Sequence, residues 1–199
     1  MPTRRAFLAH GAAWVALLAA GSPALAQGQA DATAFVQRLG NQLVAVVNGP
    51  GNTAAKRARV EPLIEQAVDV EAIGRFCLGR FWRTSTPQQQ QEFQRLFRQV
   101  LMNNIAGRLG DQGIAFALTN TVERDGNVLV GTTIRRPNQQ PANVQWVVGT
   151  QSGRPRIIDV IAEGTSLRLT QRSDYAAYIT RNGNNVDALL QAMRQQVAA

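Results

Sequence analysis

Few side chains in this chain have chemistry to offer. Asp159 and Glu163 stand four residues apart. Two carboxylates in a polar cleft can act as general acid and base when their spacing is controlled. The same two can instead brace the fold by bonding nearby backbone or an arginine such as Arg172. Cys77 is the only cysteine, so it has no intrachain disulfide partner. It lies in an apolar helical stretch, where a thiol packs as a small hydrophobe. The only histidine is His10. Beyond it there is no Ser-His or Cys-His couple and no zinc set built on His or several Cys. No glycine-rich phosphate loop joins a strand to a helix. The sequence therefore predicts no catalytic residue and no metal site. A small enzyme using Asp159 or Glu163 stays as the alternative.

The first 26 residues read as a secretory signal peptide. Arg4 and Arg5 form a basic start, an apolar run follows, and Ala24-Leu25-Ala26 fits a cleavage site. The apolar run is too short to span a bilayer. Thr3-Arg4-Arg5-Ala6-Phe7-Leu8 also fits a twin-arginine export signal, and both export routes stay open. Residues 27–199 are expected to form one domain, long enough for a sizeable core. The formal net charge of the 199 residues is +8, two units of it from Arg4 and Arg5. Lys56 is the only lysine, so the positive charge is almost all arginine. Such a surface attracts anionic partners. The arginines are scattered rather than clustered, which argues against nucleic acid. An anionic lipid or an acidic docking surface fits better.

Helices come first along the chain. Residues 31–48 carry Phe35, Leu39, Leu43 and Val46 on one helical face. Asn48 to Asn52 breaks that helix, and 53–68 reads as a second one in which Pro62 is a kink or the true start. Asp69 is placed to cap a third helix over 70–82. Thr86, Pro87 and Gln89 fit the cap, N1 and N3 positions of a fourth. Its stripe runs Phe93, Leu96, Phe97, Val100, Leu101, Ile105, Leu109, and it should end near Gly110. The period then switches to two. Ile114, Phe116 and Leu118 lead to an Asp125-Gly126 hairpin turn. Val128 to Ile134, Val144 to Val148 and Ile158 to Glu163 complete a four-stranded antiparallel meander, with a turn at Ser152-Gly153. Ser173 is the expected cap of the next helix, and 186–197 forms the last. Helices, sheet, helices defines an α+β class.

Two blocks carry a resemblance. The first is Asp159, Val160, Glu163, Gly164, Ser166, Leu167, Thr170, Arg172, Ser173, Asp174 and Tyr175. The second is Leu78, Gly79, Arg80, Phe81, Trp82, Arg83, Thr86, Pro87, Gln90 and Phe93. In order and spacing they resemble the MlaC family, also called the toluene-tolerance family. The resemblance implies a curved antiparallel sheet of four or more strands, packed by several helices around an apolar lipid cavity. It implies a periplasmic monomer that takes phospholipid as cargo, with no cofactor and no nucleic acid. Its partners would be an outer-membrane lipoprotein complex and an inner-membrane ABC transporter with an MCE-domain ring.

On that resemblance the cavity wall is expected from Phe76, Phe97, Leu101, Ile105, Phe116, Trp146, Val148, Val160 and Leu167. Each is also readable as an ordinary core residue. Arg172, Thr170 and Ser173 are expected to meet a headgroup or a partner, unless Arg172 pairs with Asp159 or Asp174. Trp82 lines the cavity or fixes a helix corner. Asn104-Ile105-Ala106 stands where the family commonly has an aromatic, and Thr165 where it has Val. These departures leave a hopanoid or other polycyclic lipid as the alternative cargo, and a non-lipid adaptor with a solid core as a third reading.

Overall fold

The computed structural model describes residues 23–106, 113–149 and 153–198. The N-terminal arginines and apolar run, Leu109 with Gly110, and Ser152 lie outside them. Five helices come first: α1 (Pro23–Asn48), α2 (Thr53–Ala67), α3 (Val70–Leu78), α4 (Arg80–Thr84) and α5 (Pro87–Ala106). The strands are β1 (Ala115–Arg124), β2 (Asn127–Arg135), β3 (Ala142–Gly149), β4 (Arg156–Ala162) and β5 (Thr165–Ser166). Helices α6 (Leu167–Arg181) and α7 (Val186–Ala198) close the chain. The class is α+β, and the sheet is an open antiparallel meander in the order β1-β2-β3-β4-β5.

Local signals explain most boundaries. Asp69 accepts the N–H of Ala72 at the start of α3. Thr86 and Gln89 form a reciprocal box: Gln89 N–H donates to Thr86 Oγ1 at 3.2 Å, and Thr86 N–H donates to Gln89 Oε1 at 3.0 Å. Thr86→Ala should cost about 1 kcal/mol, read as a lower urea midpoint at unchanged m-value. Asp125 and Gly126 close the first hairpin as expected.

Three boundaries differ from the sequence expectation. Helix α1 starts at Pro23, ahead of Asp31. Pro62 lies inside α2 rather than at its start. The expected helix over 70–82 is broken at Gly79, whose φ of 59° and ψ of −126° leave the helical region. The chain turns there, and a Cβ on Gly79 would come within 3.0 Å of Arg172 Nε.

The sheet has two faces with different occupants. On the inner face Val130, Trp146 and Val160 form one cross-strand row. Helix α1 lies over it, with Val36 and Phe35 against Val130 and Trp146. Thr33 and Thr121 hydroxyls meet at 2.9 Å. Asn48 brackets Ile114, donating to its carbonyl at 2.8 Å and accepting its N–H at 3.0 Å. Helix α2 ends on the edge of β4, where Asp69 N–H donates to Ile157 O. Strand residues alternate faces, so Asp159 points away from Val160, toward the start of α6.

Helices α3 to α7 form their own core. Cys77, Leu78, Phe93, Leu96, Ile179, Leu190 and Met193 are all buried in one contiguous cluster. Phe93 stacks on Phe97 and meets Tyr175 edge-on, both at 5.8 Å between ring centroids. Helix α5 serves two compartments. Its first half fills this core, while Leu101, Met102 and Ile105 pack with α1 and α2.

Candidate functional site

The space between α1, α2, the end of α5 and the inner sheet face is built differently from the helical core. Its apolar residues fall into three small clusters rather than one. The first holds Val47, Val60, Ile64 and Met102. The second holds Ala32, Val36, Val128, Val130 and Val148. The third holds Leu39, Ala67 and Ile157. Half-buried side chains join them: Phe35 and Trp146 touch the second and third, Leu43 and Val68 the first and third. The helical core, by contrast, is one contiguous cluster of buried residues. In this space large apolar side chains stay only partly buried where the clusters meet. Trp146 is held by its indole N–H, which donates to Thr132 Oγ1 at 3.0 Å. Gly40 lets α1 approach β1 closely, since a Cβ there would lie 2.5 Å from the Phe116 ring.

The residues expected for the cavity wall divide. Leu101, Ile105, Phe116, Trp146, Val148 and Val160 come together around this space, with Val148 fully buried behind it. Phe97 belongs to the helical core. Leu167 is 51% exposed at the start of α6. Phe76 is half-buried beneath two guanidiniums, Arg168 at 4.5 Å and Arg172 at 4.9 Å. Phe35, Leu43, Val46, Leu63, Val68, Ile114 and Leu118 also border the space. The α1 stripe signalled the first three, but periodicity did not say what they faced.

Asp159 is a brace. It is 4% exposed. Oδ1 accepts the N–H groups of Val160 at 2.8 Å and Arg168 at 3.1 Å, and Oδ2 accepts the Ser166 hydroxyl at 2.6 Å. Arg168 Nε lies 3.4 Å from Oδ2. Ser166 in turn caps α6 by accepting the N–H of Leu169. The cap of α6 is thus Ser166 and not Ser173, because Asp159 holds the Ser166 hydroxyl in place. Glu163 and Gly164 form the two-residue β4–β5 loop, at φ 47° and 78°. Such a loop needs positive φ at both positions, which suits the glycine. Glu163 Oε1 accepts the Asn143 N–H at 2.7 Å, tying the loop to β3. Both carboxylates are engaged in structure.

Arg172 pairs with neither Asp159 nor Asp174. It lines an outward groove of about 560 Å³ with Arg80, Ser173 and Arg181. Thr170 Oγ1 donates to Ser166 O within α6. Trp82 stands at the α3–α4–α5 corner against the helical core, with Arg75 over its ring at 5.0 Å and its carbonyl accepting Gln90 Nε2.

Burial pushes the Cys77 thiol up to about 12, the nearby Asp159 charge adds to that, and Arg168 and Arg172 oppose it. Below pH 9 it stays a thiol in both folded and unfolded chains. Between about 9 and 12 only the unfolded chain ionises, so stability is lost as pH rises, by about 1.4 kcal/mol per pH unit. In the native protein Cys77 should resist a thiol-reactive disulfide reagent at pH 8 and react on denaturation. Among the described residues no group of His, Cys, Asp and Glu could hold a metal ion, and no helix is long and apolar enough to cross a membrane.

An antiparallel sheet with a helix laid over half-buried apolar side chains defines the architecture. The chain belongs to the MlaC family: residues 37–195 match the family described as MlaC protein. It is 26% identical over 141 residues to the toluene tolerance protein Ttg2D of Pseudomonas putida. That match spans 68% of this chain and 65% of the relative, just under two thirds of its length. The solved structure of a phospholipid-binding protein from Ralstonia solanacearum, in complex with a phospholipid, superposes with a TM-score of 0.75. It is 26% identical, and the match covers 84% of this chain and 97% of that one.

Proposed function

We propose that this chain is a periplasmic phospholipid carrier. The acyl chains lie between α1, α2, the end of α5 and the inner sheet face. The observation that carries this reading is the division of the interior there into three clusters joined only by half-buried Phe35, Leu43, Val68 and Trp146. Leu101, Ile105, Phe116 and Val160 complete the proposed wall. Family membership and the phospholipid held by the Ralstonia solanacearum protein support the cargo class.

The energetics give the role. Each buried methylene is worth about 0.8 kcal/mol, so two chains of about sixteen carbons would cost roughly 25 kcal/mol to expose to water. An apolar seat makes transfer from a membrane nearly neutral. The lipid is cargo, and no bond is made or broken. Within the envelope the carrier would pass lipid between an outer-membrane lipoprotein complex and an inner-membrane ABC transporter with an MCE-domain ring. The commitment of Asp159 to backbone, Ser166 and Arg168 supports a carrier over an enzyme that uses it as a base.

The test is native mass spectrometry of protein exported to a periplasm, followed by solvent extraction. Phospholipid at near one per protein is the expected result. A hopanoid mass would change the cargo. A lipid-free protein that stays so after incubation with liposomes would overturn the carrier reading.

A further inference from the structure

We infer that the groove lined by Arg80, Arg172 and Arg181 is the docking site for an acidic segment of a partner protein. It rests on the carrier reading, since a carrier must be recognised where it loads and unloads. The groove lies between α6 and the α3–α4 corner, and its floor is Gly79, Ser173, Ala176, Ala177 and Thr180.

The lining of this groove is basic, with three arginines and no acid. Arg75, Arg95, Arg98, Arg168 and Arg194 each lie against a glutamate or aspartate. Among the described residues no carboxylate pairs with Arg80, Arg172 or Arg181, and none lines the groove. Two of the three are already oriented. Arg80 donates to Thr180 Oγ1 at 3.1 Å and lies 4.8 Å from the Phe81 ring centroid. Arg172 rests on Phe76, beside the Arg168 that already holds Asp159. Guanidiniums held in place lose little freedom on binding a carboxylate, and the planar fork grips it through two hydrogen bonds.

The rest of the surface points to a protein segment. Leu169 is 56% exposed and lies one turn before Arg172 and Ser173 on α6. It gives an apolar anchor next to a basic rim, the anatomy of a protein interface. A free phosphate has no use for an exposed leucine, and a planar membrane does not fill a concavity of about 560 Å³. No strand residue and no residue of the proposed acyl wall lines the groove, so the lipid headgroup is not its natural occupant.

The experiment places a photo-crosslinking phenylalanine analogue at Ala177 of the full chain, in the cell envelope. The cross-linked peptide is mapped, and bound lipid is counted in the same samples. The expected product is a protein segment rich in Asp and Glu. The double variant Arg80→Glu, Arg181→Glu should lower its yield at least tenfold with lipid per protein unchanged. Reversing the acids of the mapped segment to Arg should restore the yield with that variant. Cross-links to lipid only, no protein cross-link, or a yield indifferent to charge reversal would overturn the inference. Lipid-free protein without substitutions would instead overturn the carrier reading, whatever the cross-links show.

Discussion

Replacing Phe35 with Asp should strip the purified protein of lipid. Phe35 sits on α1 and touches two of the three apolar clusters around the inner sheet face. A carboxylate there must either stay ionised beside acyl chains or give up its charge. The effective penalty for an unpaired buried ion is several kcal/mol, and each 1.4 kcal/mol is tenfold in affinity. Lipid per protein by native mass spectrometry should fall at least tenfold. Phe35→Leu should keep most of it, because the wall stays apolar. Leu43→Asp, two turns further along α1, should repeat the loss. The far-ultraviolet circular dichroism should persist in both Asp variants, since the helical core lies elsewhere. Folded Asp variants that still carry one lipid each would move the acyl chains out of this space.

The second large effect is on stability. Asp159→Ala removes the acceptor of two N–H groups and a hydroxyl and leaves the Arg168 guanidinium half-buried without its acid. Breaking a buried pair from one side costs about 3–5 kcal/mol. For a domain of this size that is a fall of roughly 6–20 °C in Tm. Asp159→Asn should cost less, since its amide oxygen still accepts from Val160 or Arg168. If Asp159→Ala melts with the parent protein, Ser166 and not Asp159 holds the β4–α6 junction.

Local chemistry made much of the fold legible before any coordinates. Thr86, Pro87 and Gln89 announce α5 because a capping box is complete within four residues. Asp125-Gly126 announces the first hairpin because its backbone angles are demanded by two residues alone. The start of α6 was not legible in this way. Ser173 has the right type for a cap, yet Ser166 is the cap because a carboxylate seven residues earlier holds its hydroxyl. The break at Gly79 hides in an apolar period that runs on through it to Phe81.

The grouping of residues at the candidate site was only partly legible, for a related reason. Phe97 and Leu101 sit one turn apart on a single stripe of α5. One packs into the helical core and the other also touches the cluster beside α2. Periodicity shows which side of a helix is apolar, not which neighbour it meets. For the same reason the α1 stripe was read as a helix face, while its place opposite Trp146 and Val160 needed the assembled sheet. The bias to arginine was visible in composition. That three arginines gather without acids in one groove was not, because Arg80 and Arg172 are 92 residues apart in sequence.

Lys56 has a practical consequence. The residue is 3% exposed and its ammonium donates to Val47 O, sealing the end of α1 under the turn into α2. It is also the chain's only lysine. Reagents that seek side-chain amines therefore find nothing exposed on the folded protein. Acylation at this one position reports local opening of the turn between the first two helices: slow labelling is expected of the folded protein and fast labelling of the unfolded chain.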